Sequence, residues 1–451
     1  MGRSKLLAVL VVSIMVVAAL GAAIVLLNKE GDSFKIDAQL EVFGNANGDM
    51  VIDQNDIDMI KKIIAGNLDF ENYPLADANH DGKVDESDID KVNRIINATS
   101  TNKERVFHIN QYNNGQIVVD TLYPVTSAAA SGASNLMLVF KYLGITDEIK
   151  GLSWSTALDS HLFPEYQPLM SKTKLGSAVT NMSTDLVSNL ATGPEKITAV
   201  ITSDNQAYLS TEEPILEGMG IDVVRVMPAA IDEGEYISAV LLIAFLFNDE
   251  GSDYMSKCNE LKIWYENFME DLNGKLNTLK DGDRVSAISS SMSAMVSTKN
   301  SDYTEVLTTA GAIFPMQDRN DSASSIRYDS ASDTWLNQYD IDYLICIRTS
   351  TATFSWYGNE AQSNAGKAVL RGYISAFNTL QCYENGNGYA ICGDMPTMLR
   401  IAYSAEILYP NLFKDNFAEK CHIDFVKKFF GWDEDKVKGK KFSVSMAEVG
   451  L

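Results

Sequence analysis

Residues 252–280 read SDYMSKCNELKIWYENFMEDLNGKLNTLK, and this stretch decides the fold. At helical spacing it places Tyr254, Cys258, Leu261, Tyr265, Phe268, Leu272, Leu276 and Leu279 on one stripe. Each step is three or four residues, as an amphipathic helix with one buried face requires. Ser252 is placed to cap its start, and Asp281-Gly282 supplies a stop. At a rise of ~1.5 Å per residue such a helix is about 40 Å long, the width of a small domain. A long helix between two α/β halves reads as a spine joining two lobes, with an ordinary core helix of one domain as the competing reading. Two lobes across a spine enclose a cleft, and small ligands bind preferentially at such boundaries.

Working outward, strand and helix patterns alternate on both sides. In 104–250 the expected strands are 116–119, 197–202 and 222–226, with helices at 135–142, 184–190 and 212–219. In 282–451, beyond a spine segment set at 251–281, strands are expected at 284–289, 343–348 and 389–392. Helices are expected there at 303–310, 364–380, 395–407 and 416–430. Such alternation predicts an α/β fold with a parallel sheet in each lobe.

The chain has 451 residues, room for two or three domains, and a formal net charge of −23. So acidic a protein is a poor partner for nucleic acid or anionic lipid, and a good one for cations. The five cysteines (Cys258, Cys346, Cys382, Cys392, Cys421) form no CxxC pair, which leaves a Cys382–Cys392 disulfide and buried thiols as alternatives. The four histidines are scattered and no HExxH or HxxxH occurs, so a zinc hydrolase is not supported. No GxSxG, P-loop or GxGxxG stands out, and the chain does not read as an enzyme.

Residues 6–27 are uncharged and almost wholly apolar, preceded by Arg3 and Lys5. The run is long enough to cross a bilayer core of ~30 Å, and the basic flank puts the short end inside and the bulk outside. An uncleaved single-pass anchor at 1–30 is the favoured expectation, and a cleaved secretory signal the competing one.

Residues 38–98 contain a repeat. Its first loop is Asn45-Ala46-Asn47-Gly48-Asp49-Met50-Val51-Ile52-Asp53-Gln54-Asn55-Asp56, and its second is Asp77-Ala78-Asn79-His80-Asp81-Gly82-Lys83-Val84-Asp85-Glu86-Ser87-Asp88. Oxygen-bearing side chains fall at positions 1, 3, 5, 9 and 12 of each. Calcium takes ~6–8 oxygen ligands from loops of this kind, including a backbone carbonyl at position 7. The expected ligands are therefore Asn45, Asn47, Asp49, Val51, Asp53 and Asp56 in one loop, and Asp77, Asn79, Asp81, Lys83, Asp85 and Asp88 in the other. Helices follow at 57–65 and 89–96, with Ile57, Ile60, Ile64 and Ile89, Val92, Ile96 as inward faces. This duplicated loop–helix resembles the dockerin module, and the aspartate at position 12 fits it better than the glutamate of ordinary EF-hands. The resemblance implies two calcium ions and a cohesin-type partner read partly through Gln54-Asn55 and Glu86-Ser87. Met50 departs from the glycine usual at position 6.

From about 105 to the end, the chain is similar to the extracytoplasmic solute-binding proteins of iron-chelate and cobalamin importers. The order of parts carries the resemblance: Thr126-Ser127, Tyr142-Leu143-Gly144 running to Gly151, Lys174-Leu175-Gly176, Gly193-Pro194-Glu195-Lys196-Ile197, Gly220-Ile221-Asp222-Val223-Val224, and Leu408-Tyr409-Pro410-Asn411-Leu412-Phe413. The stretch 292–335 matches poorly. The resemblance implies two lobes of the class III binding-protein type, an ABC permease and ATPase as partners, and a metal chelate as ligand. It places ligand contacts in loops at the carboxyl ends of strands, where open α/β sheets bind ligands generally. In this chain those candidates are Thr126, Ser127, Trp154, Asp204, Arg225, Arg348, Trp356 and Tyr357. Arginines there suit anionic groups, and the aromatics suit a flat ligand. The leading expectation is capture of a ferric siderophore, haem or corrinoid for import. The alternative is a surface-assembly protein whose dockerin-like module does the work and whose α/β part is cargo.

Overall fold

The computed structural model describes residues 34–112, 115–131, 134–153, 173–176, 181–291, 293–348 and 364–451. The spine is present as the Tyr254–Leu276 helix. It is shorter than 252–280 for local reasons. Ser252 Oγ donates to Asn248 Oδ1 at 2.8 Å instead of capping, and Asn277 closes the other end before a separate turn at Asp281–Asp283. Cys258, Leu261, Tyr265, Phe268, Leu272 and Leu276 are buried as the spacing predicts, and Trp264 and Met269 join them. The stripe widens because the helix is covered on two sides. The Glu233–Leu246 helix packs on one. On the other, Trp264 Nε1 donates to Asp424 Oδ2 at 2.7 Å and its ring meets Phe425, both on the Phe417–Phe430 helix.

The first lobe opens with β1 (Glu104–Tyr112) and β2 (Gly115–Tyr123), an antiparallel hairpin with Glu104 opposite Tyr123. The sequence pattern gives only 116–119 here, and in a parallel sheet. Polar residues hide β1: His108 and Asn110 are fully buried, one bonded to Thr121 Oγ1 at 2.8 Å, the other donating to Val223 O at 2.7 Å. Then follow β3 (Ala128–Ser131), β4 (Ile149–Ser153), β5 (Lys174–Gly176), β6 (Ala199–Ser203) and β7 (Asp222–Val226). They form one parallel sheet in the order β5-β4-β3-β6-β7.

In the second lobe β8 (Ala287–Ser290), β11 (Tyr343–Arg348) and β12 (Gly388–Cys392) are parallel, and β13 (Ser443–Ser445) closes the edge antiparallel to β12. Between them, β9 (Met295–Ser297) and β10 (Ser325–Arg327) make a small antiparallel pair. The expectation of α/β lobes with parallel sheets therefore holds for both main sheets, with an antiparallel edge and two antiparallel pairs added. The lobes share one hydrophobic core. Tyr142, on the Ser134–Leu143 helix of the first lobe, packs on Phe425 and Phe430 of the second.

The duplicated module folds as two loop–helix units, Gln54–Ile64 and Glu86–Ile96. Each helix starts three residues earlier than expected, because Asp53 and Asp85 act as N-caps in reciprocal capping boxes with Asp56 and Asp88. That shifts the inward faces: Ile57, Ile60, Ile63 and Ile89, Val92, Ile95 are buried, while Ile64 and Ile96 are exposed. The module is not separate from the lobe. Ile95 joins the main core, and Lys91 Nζ donates to Glu104 Oε1 at 2.8 Å and to Arg105 O at 2.5 Å. The preceding segment places Ile36, Ala38, Leu40 and Val42 in that core too. All five cysteines are free thiols, so Cys382 and Cys392 form no disulfide. The 6–27 run lies outside the described residues, and among the described residues no helix is long and apolar enough to cross a membrane.

Candidate functional site

The carboxyl ends of the two parallel sheets are where the sequence places ligand contacts. Around the first sheet most of the candidates are spent on the fold. Thr126 Oγ1 accepts from Lys103 Nζ at 3.0 Å, and Ser127 Oγ donates to Glu195 O at 2.7 Å. Half-buried Asp204 follows β6 and donates its N–H to Val226 O at 2.8 Å; burial raises its carboxyl pKa.

Arg225 is a correction. It is 1% exposed and every guanidinium nitrogen is engaged. Nε and Nη2 hold the Glu213 carboxylate, with Nη2 at 2.6 Å from Oε2. Nη1 donates to Ser203 O at 3.0 Å and Asn205 O at 3.3 Å, and Nη2 also to Tyr208 O at 2.7 Å. The Tyr112 ring lies 5.0 Å from the guanidinium carbon. No donor is left for a ligand, and Arg225 ties β7 to the loop after β6.

Around the second sheet the position differs. Arg348 ends β11, half-buried, 4.7 Å above the Tyr373 ring, with Nε buried and unpartnered. On β8, Ser289 Oγ is likewise buried without a partner. One residue escapes the sequence reading: Arg400, fully buried on the Thr397–Leu408 helix that follows β12, with its Nε unpartnered. A signal for it exists, since Arg400 is the lone charge in the apolar run 395–405. Trp154, Trp356 and Tyr357 lie outside the described residues.

Two cavities sit elsewhere, along the Asp302–Thr309 helix. One of about 410 Å³ is lined by Lys299, Thr304, Glu305 and Phe314, and one of about 310 Å³ by Asp232, Glu233, Met269, Arg284 and Glu305. Burial, with Asp232 and Glu305 nearby, pushes the Glu233 carboxyl up to about 7. None of the described strand-end candidates lines either cavity.

In the duplicated loops, backbone amides occupy many of the expected ligand oxygens. Asp77 accepts from Asp81 N at 3.0 Å and Gly82 N at 2.8 Å, and Asp88 accepts from Asn79 N at 3.1 Å and Asp85 N at 2.8 Å. Gly82 takes φ +89°, whereas Met50 keeps a negative φ and the first loop turns at Gly48 instead, φ +70°. Two features suit a cation. Asn45 is fully buried with Oδ1 unpartnered while its Nδ2 donates to Leu40 O and Asp49 O, each at 2.8 Å. Burial lifts the Asp56 carboxyl to about 6 and raises those of Asp77 and Asp88. Among the described residues, however, no three of His, Cys, Asp and Glu are grouped closely enough to hold a metal ion. The side-chain oxygens at these positions are of the type that calcium takes.

No family model and no curated protein matches the chain. Solved structures do. A TroA-like periplasmic binding protein, FepB from Veillonella parvula, superposes with a TM-score of 0.55 at 14% identity, covering 75% of this chain and 99% of that one. An ABC transporter solute-binding protein from Sulfurospirillum deleyianum gives 0.51 at 14% identity, over 71% of this chain and 95% of its own. Helicobacter pylori CeuE with nickel and histidine gives 0.50 at 12%, over 74% and 98%. The fold is thus that of TroA-like periplasmic binding proteins, over about three quarters of the chain.

Proposed function

We propose that this protein captures a metal chelate outside the cytoplasm for an ABC permease and ATPase. The observation that carries the reading is the architecture: two parallel-sheet lobes on one spine, matched over three quarters of the chain by a periplasmic binding protein. The names of the similar structures belong to transport rather than catalysis, and no catalytic signature appears in the sequence. A ferric siderophore, haem or corrinoid is the ligand class. In this reading residues 6–27 anchor the chain in the membrane with the bulk outside. The duplicated loops bind two calcium ions, with Asn45, Asn47, Asp49, Asp53, Asp56 and Val51 O around one. Asp77, Asn79, Asp81, Asp85, Asp88 and Lys83 O surround the other. Calcium supplies charge that offsets the buried Asp56 and Asp88.

The second reading is surface assembly through the module onto a cohesin-type partner. It is favoured by one feature: Gln54, Asn55, Glu86 and Ser87 are all exposed. The deciding test uses the five tryptophans as reporters in titrations with ferric chelates, haem and cobalamin. Saturable quenching at micromolar concentration supports import. Silence across the panel, with capture of a cohesin-type domain, moves assembly ahead.

A further inference from the structure

The two cavities along the Asp302–Thr309 helix share Glu305 and Thr308. The smaller, of about 310 Å³, draws its lining from three parts of the fold: Asp232 and Glu233 at the start of the Glu233–Leu246 helix, Met269 and Leu276 on the spine, and Arg284 and Glu305 of the second lobe. Three carboxylates there face one guanidinium, which leaves two negative charges in excess when all are ionised. Arg284 does not neutralise them: its Nη1 donates to Gly311 O at 3.3 Å, and among the described residues it joins no ion pair. Helix capping explains Asp232, which accepts from Glu235 N at 2.9 Å. It does not explain the other two. The half-buried Glu233 carboxylate meets only its own backbone N–H among the described residues, and Glu305 stands exposed at the rim. Among the described residues every charge acting on these two is another carboxylate: Asp232 and Glu305 on Glu233, and Asp232, Glu235 and Asp302 on Glu305. Like charges gathered in this way repel one another, and a cation among them relieves the repulsion.

Two buried hydroxyls at the same place lack partners, which native interiors seldom allow. Thr304, 4% exposed, lines the larger cavity beside Glu305, and its Oγ1 has no hydrogen-bond partner. Tyr265 is fully buried on the spine, at helical spacing from Met269 and Leu276. Its Oη is likewise unpartnered and lies in the field of Glu233 and Asp232. The shape of the site selects among cations. No three of the described His, Cys, Asp and Glu groups converge closely enough to hold a metal ion. The same cavity carries Phe34, Met269 and Leu276, an apolar wall that suits methylene groups and gives nothing to a bare ion.

We propose that the cavity lined by Asp232, Glu233 and Glu305 is a binding site for a linear aliphatic diamine, its ammonium groups taken by the carboxylates and its methylene chain by Met269 and Leu276. A dication matches the two charges in excess, and a flexible chain lets its ends reach carboxylates that do not converge on one point. The site rests on these side chains alone and not on the import reading.

The test is thermal unfolding of the full chain, with calcium in excess throughout so that the duplicated loops stay in one state. The additions are putrescine, n-butylamine, magnesium chloride and sodium chloride at matched ionic strength. Wild type is expected to gain Tm saturably with putrescine, less with the monoamine, and no more with magnesium than with sodium. E233Q is expected to unfold no earlier than wild type without amine, because a repelling charge is gone, and to bind putrescine at least about tenfold more weakly. E305Q, changed at the exposed rim, should show a loss of the same order. An E233Q that unfolds earlier without amine, an equal putrescine response in wild type and either variant, magnesium or the monoamine acting as well as putrescine, or no response in wild type overturns the proposal. Chelate titration keeps the two readings apart. A wild type that takes putrescine and no chelate keeps this site and removes import, and the reverse pattern removes this site and keeps import.

Discussion

Arg225 shows how a residue's chemistry is set by what it touches. In sequence it ends an apolar strand, where an arginine suits a ligand anion. In the structure it is 1% exposed and paired with Glu213, itself 13% exposed on its side chain. Its role is to hold the end of β7 to the segment 203–213. Removing one member of such a pair leaves a charge with low solvent access, at a cost of about 3–5 kcal/mol. Arg225→Met is therefore expected to lower the urea midpoint strongly, and R225M/E213L to recover most of the loss, since apolar replacement of both partners is near neutral. Chelate affinity of the refolded double variant should match wild type. A specific loss of binding with unchanged stability would return Arg225 to the ligand site.

At the scale of elements, the proposal of calcium in the duplicated loops gains a consequence that spacing alone does not give. The ligands proposed there are local, but the helices are not: Lys91 and Ile95 bind the module to β1 and the main core. The isolated segment 44–97 would expose that face, so calcium is expected to act on the whole chain. The second loop should dominate, because Gly82 makes the turn at φ +89° and Asp77 brings a charge where the first loop has Asn45. Calorimetry on the full chain is expected to show Asp77→Ala losing more calcium affinity than Asn45→Ala, with Tm falling on addition of EDTA. Equal losses, or a Tm indifferent to EDTA, contradict this. Elements with period or breakers were legible from sequence: the spine, β7, β11 and both module helices lie within a few residues of their expected bounds. The Glu233–Leu246 helix was not, because ten of its residues are buried and an all-apolar helix has no stripe to read. Nor was β3, whose Ala-Ala-Ala-Ser carries no strand propensity and is held by β4 and β6 on either side. Arg400 was missed for a related reason: periodicity marks apolar faces and does not weigh a single charge inside one.

For the whole molecule, the question is how far the lobes move. A hinge needs few contacts across it, and here there are many. Trp264 on the spine bonds to Asp424 at 2.7 Å and packs on Phe425 and Phe429. Tyr142 of the first lobe stacks on Phe430 with ring centroids 5.8 Å apart and meets Phe425 edge-on at 5.4 Å. Aromatic contacts of this kind contribute about 0.5–1.5 kcal/mol each beyond their buried area, and all would be lost together if the lobes swung apart. The spine itself is a continuous helix with no proline between Tyr254 and Leu276 to bend it. Binding should therefore close the cleft by side-chain and loop adjustment, and small-angle X-ray scattering of free and chelate-bound protein should give the same radius of gyration within error. Replacing Trp264 with alanine removes both the indole hydrogen bond and the aromatic contacts. In that variant the free form should expand and the bound form contract toward wild type. A large contraction of the wild-type protein on binding would show that this aromatic cluster opens, and that the spine is a hinge rather than a strut.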